Sequence, residues 1–186
     1  MKIQKLIFCW MFVLFGIQNM AQAESQQEFC LENGMKVIVR EDHRAPVAVN
    51  MVWYRVGSMD ETSGTTGVAH VLEHMMFKGT TKRGFEKLND DLESLGGEYN
   101  AYTDYSITVY SISCLEEELG NAIELLGDMV TNSVFLKEEI EKERGVILAE
   151  MKASMDSVED LSFKRVNEIA FEKSCLRYDV AGTEKN

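Results

Sequence analysis

The sequence has very little proline, histidine or net basic charge. Pro46 is the only proline, and no internal repeat or low-complexity tract interrupts the chain. Histidine occurs three times, as His43, His70 and His74, so a close histidine pair stands out. Lysine and arginine number 19 against 31 aspartates and glutamates, a formal charge of −12 in 186 residues. That balance argues against binding nucleic acid or an anionic membrane through bulk charge. No apolar run reaches the roughly 18–20 residues that a spanning helix needs. The longest, 6–17, follows Lys2 and Lys5 and precedes Ala21-Gln22-Ala23, a small-x-small cleavage site. Together these read as a signal peptide over residues 1–23 and predict secretion, to a bacterial periplasm. The segment lacks the arginines of a mitochondrial presequence.

Cleavage after Ala23 leaves residues 24–186, enough for one domain with a real core. Losing Lys2 and Lys5 takes the basic count from 19 to 17 against 31 acids, so the charge becomes −14. Cys9 leaves with the leader. Cys30, Cys114 and Cys175 remain, an odd number that allows at most one internal disulfide and one free thiol. Their spacings fit no zinc motif.

What the chain does contain is His70-Val71-Leu72-Glu73-His74. On a helix these polar positions fall at i, i+3 and i+4, so all three side chains leave one face. Two imidazoles one turn apart suit a tetrahedral zinc, and the intervening glutamate suits a general base for a water that the metal acidifies. The order H-x-x-E-H is a known zinc-hydrolase signature. The competing reading is an amphipathic helix with two surface histidines, built on Val71, Leu72, Met75, Met76 and Phe77.

Around this motif the pattern alternates strands and helices. Asn33-Gly34 predicts a turn, and 35–40 and 47–54 alternate as strands. A polar loop over 57–66 leads to the motif helix, with Thr65 or Thr66 as N-cap and Gly79 as stop. Residues 85–95 read as an amphipathic helix ended by Gly96-Gly97. Residues 98–103 and 106–113 read as a pair of strands. The last third reads as helices over 116–130, 137–155 and 156–171, with Leu119, Ile123, Leu126, Val130, Leu161, Val166 and Ile169 as core positions. Strands first and helices after, joined by hairpins, predict an α+β fold with an antiparallel sheet packed against helices.

Two histidines want a third protein ligand, commonly a carboxylate. Helix 137–155 offers Glu138, Glu139, Glu141, Glu143 and Glu150. Most have lysine or arginine partners at helical spacing and read as solvated charge. Glu150 sits among Val146, Ile147, Leu148, Ala149 and Met151, as either a border residue or a ligand. Glu143, two turns earlier on nearly the same face, is placed to act near the same centre.

Four blocks, in order, resemble the pitrilysin, insulin-degrading enzyme and mitochondrial processing peptidase metalloproteases, the inverted zincins. They are 53–61 (WYRVGSMDE), 67–80 (GVAHVLEHMMFKGT), 96–103 (GGEYNAYT) and 143–150 (ERGVILAE). The resemblance implies one half-unit of the mitochondrial processing peptidase-like fold, with one Zn2+ held by His70, His74 and Glu150. It implies Glu73 as the general base, Glu143 as an acidic support to the metal site, and Asn100 and Ala101 on an edge strand that receives a peptide substrate. Manganese or cobalt also suits such ligands. Members of the family carry a second homologous half, and the present sequence carries one at most. Residues 174–182 (SCLRYDVAG) depart from the family's His-Pro-Tyr segment. The expected function is therefore a zinc-dependent metallopeptidase. The alternative is a catalytically incomplete zinc-binding half-unit that needs a partner chain or self-association.

Overall fold

The computed structural model describes residues 26–186, so the expected leader lies outside the described residues. These residues fall into two compact units that meet in sequence at Pro46 and Val47. The first is an antiparallel hairpin of β1 (Gln26–Cys30) and β2 (Lys36–Arg40), registered from Gln26↔Arg40 to Cys30↔Lys36. Its turn uses Gly34 at φ 85°, a conformation in which glycine has no steric cost. The Asn33 side chain accepts from the Met35 N–H. The strand β1 was not part of the sequence expectation.

The second unit holds a three-stranded antiparallel sheet in the order β3-β5-β4, made from β3 (Val47–Tyr54), β4 (Tyr99–Thr103) and β5 (Thr108–Leu115). The last strand runs two residues later than expected, through Cys114 and Leu115. Its central place pairs it with β3 from Val47↔Leu115 to Tyr54↔Thr108, and with β4 from Tyr99↔Ile112 to Thr103↔Thr108. One face of the sheet buries Tyr110, Ile112 and Cys114 against helices. The other face leaves Val47, Val49, Met51 and Trp53 exposed. The period-two alternation of β3 therefore separates an inner from an outer set.

Five α-helices pack on this core or on one another, two between β3 and β4 and three after β5: α1 (Val68–Met75), α2 (Phe85–Ser94), α3 (Leu119–Asn132), α4 (Lys137–Asp156) and α5 (Val158–Ala170). The buried stripe of α3 is Ala122, Leu125, Leu126 and Met129, packed with Leu88 and Leu92 of α2. Each fully buried Leu or Met contributes about 1.5–3 kcal/mol. Ile123, an expected core position, lies one residue off that stripe and is exposed. Leu161, Val166 and Ile169 of α5 are exposed as well, because among the described residues nothing covers that face. The α+β architecture agrees with the sequence expectation, and no described helix is long and apolar enough to cross a membrane.

Candidate metal centre

Helix α1 runs beneath strand β4 and beside α4. Ala69 and Met75 point into the interior, which turns His70, Glu73 and His74 toward α4 and β4. Helix α4 answers with one stripe at i, i+4 and i+7, formed by Glu143, Ile147 and Glu150. Glu143 and Ile147 are buried, while the Glu150 side chain is 49% exposed.

The Nε2 atoms of His70 and His74 lie 3.3 Å apart. A carboxylate oxygen of Glu150 lies 3.8 Å from the first and 3.5 Å from the second. Zinc–nitrogen bonds of 2.0–2.1 Å at a tetrahedral angle place two ligand atoms about 3.3–3.4 Å apart. The three atoms thus already stand near the corners of a zinc-sized polyhedron, all within 4.8 Å of one another.

The protonation states agree with this. The buried Glu143 carboxylate accepts from His74 Nδ1 at 3.0 Å and from Lys78 Nζ at 2.7 Å. A carboxylate only accepts, so Nδ1 of His74 donates this bond and Nε2 is the ring atom turned toward His70 and Glu150. Burial pushes the Glu143 carboxyl up, yet the hydrogen bonds from Lys78 and His74 outweigh it and hold the pKa below its ordinary value. For His70, burial first and then the neighbouring His74 push the imidazole pKa down, which favours the neutral, metal-binding form. Its Nδ1 is buried without a hydrogen-bond partner.

Glu73 does not join the three-atom cluster. Its carboxylate accepts a hydrogen bond from the Thr103 hydroxyl of β4. Asn100 and Ala101 also lie on β4, whose second edge pairs with no strand among the described residues. The Ser113 N–H donates to the Glu98 carbonyl, and the Asp104 N–H to the Ile107 carbonyl. These bonds fix the parity of the ladder, so Asn100 faces β5 and Ala101 turns its N–H and C=O to the open edge, where the Asn100 side-chain oxygen accepts from that N–H at 2.9 Å. Beside Glu150 opens a cavity of about 360 Å³, lined among others by Tyr105, Met151, Met155, Leu161 and Asn167.

Residues 36–184 match the insulinase family, peptidase family M16. The chain belongs to that family. Among its relatives, the β subunit of the mitochondrial processing peptidase of Bos taurus is 37% identical, over 84% of this chain and 32% of its own length. An uncharacterized zinc protease of Rickettsia bellii is also 37% identical, over 83% of this chain and 38% of its own. The crystal structure of a protease from Helicobacter pylori superposes with a TM-score of 0.81 at 27% identity, covering 87% of this chain and 39% of that one. The chain therefore spans about a third of the length of the curated relatives it matches.

Several contacts were invisible to the sequence reading. Thr103 and Lys78 carry no local signal in the sequence, since their bonds to Glu73 and Glu143 cross between elements. The helix start was also misplaced. Thr65 instead caps its own turn by accepting from the Thr62 N–H, and the N-cap of α1 is Gly67, at φ 91° and without a side chain to offer. Cys30, Cys114 and Cys175 are all free thiols.

Proposed function

We propose that the chain is a metallopeptidase half-unit that binds zinc through His70, His74 and Glu150 and cleaves peptide bonds with Glu73 as base. The observation that carries this is the convergence of His70 Nε2, His74 Nε2 and a Glu150 oxygen at 3.3–3.8 Å, from two helices that are far apart in sequence. Bound there, zinc supplies Lewis acidity to the scissile carbonyl and lowers the pKa of a water. Glu143 holds His74 in the ligating tautomer, and Lys78 keeps Glu143 ionised. Glu73, steadied by the Thr103 hydroxyl, accepts the proton of the attacking water at its carboxylate and returns it to the leaving amine. A peptide adds as a strand to the open edge at Ala101, so backbone pairing holds it whatever its sequence. The cavity beside Glu150 then offers side-chain preference.

The second reading is a half-unit that binds zinc but needs a partner chain or a second copy for turnover. The chain spans about a third of the length of these relatives, and in this reading a partner supplies the donors that stabilise the transition state and exclude water. Export to a periplasm, directed by residues 1–23, fits either reading.

Metal content of the purified chain, measured beside cleavage of a quenched fluorescent peptide library, tests both. About one zinc per chain with chelator-sensitive cleavage supports the enzyme. One zinc without cleavage supports the incomplete half-unit. A folded chain that takes up no zinc refutes the site.

A further inference from the structure

Helix α1 begins without the means to cap itself. A helix leaves its first N–H groups unsatisfied, and a Ser, Thr, Asp or Asn at the N-cap ordinarily accepts from one of them. Here the N-cap is Gly67, and nothing larger fits. A Cβ at this position would meet the Ala181 carbonyl oxygen at 2.6 Å and the Gly182 Cα at 3.0 Å. Gly182 is equally bare: a Cβ there would meet the Thr66 carbonyl oxygen at 2.4 Å. Two glycine backbones are pressed together, and the segment around Ala181 occupies the space that a capping side chain would need.

We infer that Glu61 is a positioning residue for the metal centre, capping the ligand helix from outside it because position 67 is barred from doing so. This rests on the reading of His70, His74 and Glu150 as ligands. The Glu61 side chain reaches forward so that Oε2 accepts from the Gly67 N–H and Oε1 from the Ala69 N–H, each at 2.8 Å. Only 8% of the residue is exposed. No lysine or arginine pairs with it among the described residues, so these two amides and the partial positive charge of the helix N-terminus compensate its burial. Glu61 is itself held in place, since its carbonyl accepts from the Cys175 thiol at 3.3 Å. His70 follows Ala69 directly. The backbone of the first turn therefore sets where the His70 imidazole stands relative to His74 and Glu150. A glutamine in place of Glu61 has one acceptor where two are needed, and its amide would face an N–H.

The test uses the full chain and its E61Q and E61A variants. Zinc affinity is read by competition with a chromophoric chelator, and amide hydrogen exchange is read without metal. E61Q is expected to bind zinc about 10–100-fold more weakly, the loss usual for groups that orient ligands. Exchange should accelerate at Gly67, Ala69 and their neighbours in α1 while α3 keeps its protection. E61A should show both effects more strongly. Unchanged zinc affinity with unchanged exchange in E61Q would overturn the inference. So would a uniform loss of protection with parental affinity per folded molecule, which marks a merely structural residue. If the parent itself takes no zinc, the ligand assignment fails separately, and exchange confined to the first turn of α1 still decides whether Glu61 holds that helix.

Discussion

At the scale of single residues, the candidate centre divides its labour among side chains with different chemistry. Replacing Glu73 by Gln removes the proposed base and leaves both histidines and Glu150 in place. The expected result is about one zinc per chain with cleavage reduced by about 10²–10⁴-fold, read by metal analysis and peptide turnover. Replacing Glu143 by Gln leaves His74 free to adopt the other tautomer, so zinc affinity should fall about 10–100-fold. A residue outside the centre governs acid stability. Asp128 has a buried carboxylate that accepts from Thr80, Asn132 and Arg83. Burial raises its pKa, but those three hydrogen bonds outweigh it, and it titrates below the ordinary 3.8. The stability it confers is therefore present above that value and is lost as pH falls through the lower folded value. D128N should be less stable at neutral pH by about 1.5–3 kcal/mol, since it weakens the charge-assisted hydrogen bond from Arg83, which keeps Asp91 and Glu124 as partners. Below about pH 3.8 the gap between the two proteins should narrow, which thermal melts across that range would show.

At the scale of elements, the proposed function rests on the edge of β4 and the start of α1. If a peptide adds to the open edge, inhibitors N-methylated at the residues whose N–H faces β4 should lose binding, while methylation one residue away should be tolerated. Equal loss at both positions would count against strand addition. Much of this was legible because it is local. The helical spacing of His70, Glu73 and His74, the alternation of β3 and the turn at Asn33-Gly34 depend on neighbours within a few residues. The opposition of α1 and α4 was legible only through the resemblance, since five glutamates in α4 competed for one role. The structure separates them by facing Glu143, Ile147 and Glu150 toward α1. What stayed hidden depends on distant backbone. Glu61 reads as one more acid in a polar loop, because its partners are amides six and eight residues onward. The true N-cap was hidden for the same reason, since position 67 is constrained by residues 181 and 182. Ile123 was assigned to the core on a helical repeat that fitted two neighbouring stripes equally well.

At the scale of the molecule, apolar surface remains open on the outer face of the sheet and along α5, with Val49, Trp53, Val166 and Ile169 all exposed. Patches of that kind mark association. Sedimentation of the purified chain should show mass rising with concentration, and a lysine at position 53 should weaken it. A strictly monomeric chain with full activity would remove the need for a partner half. The contact between Gly67 and Gly182 has a further consequence for the order in which the centre can form. During synthesis His70, Glu73, His74, Glu143 and Glu150 are all joined to the growing chain before Gly182. Yet the start of α1 is not closed until the backbone near Ala181 comes to rest against it. The candidate ligands are made before the piece that locks the first of them in place. A nascent chain should therefore hold zinc loosely until the stretch around Ala181 has docked.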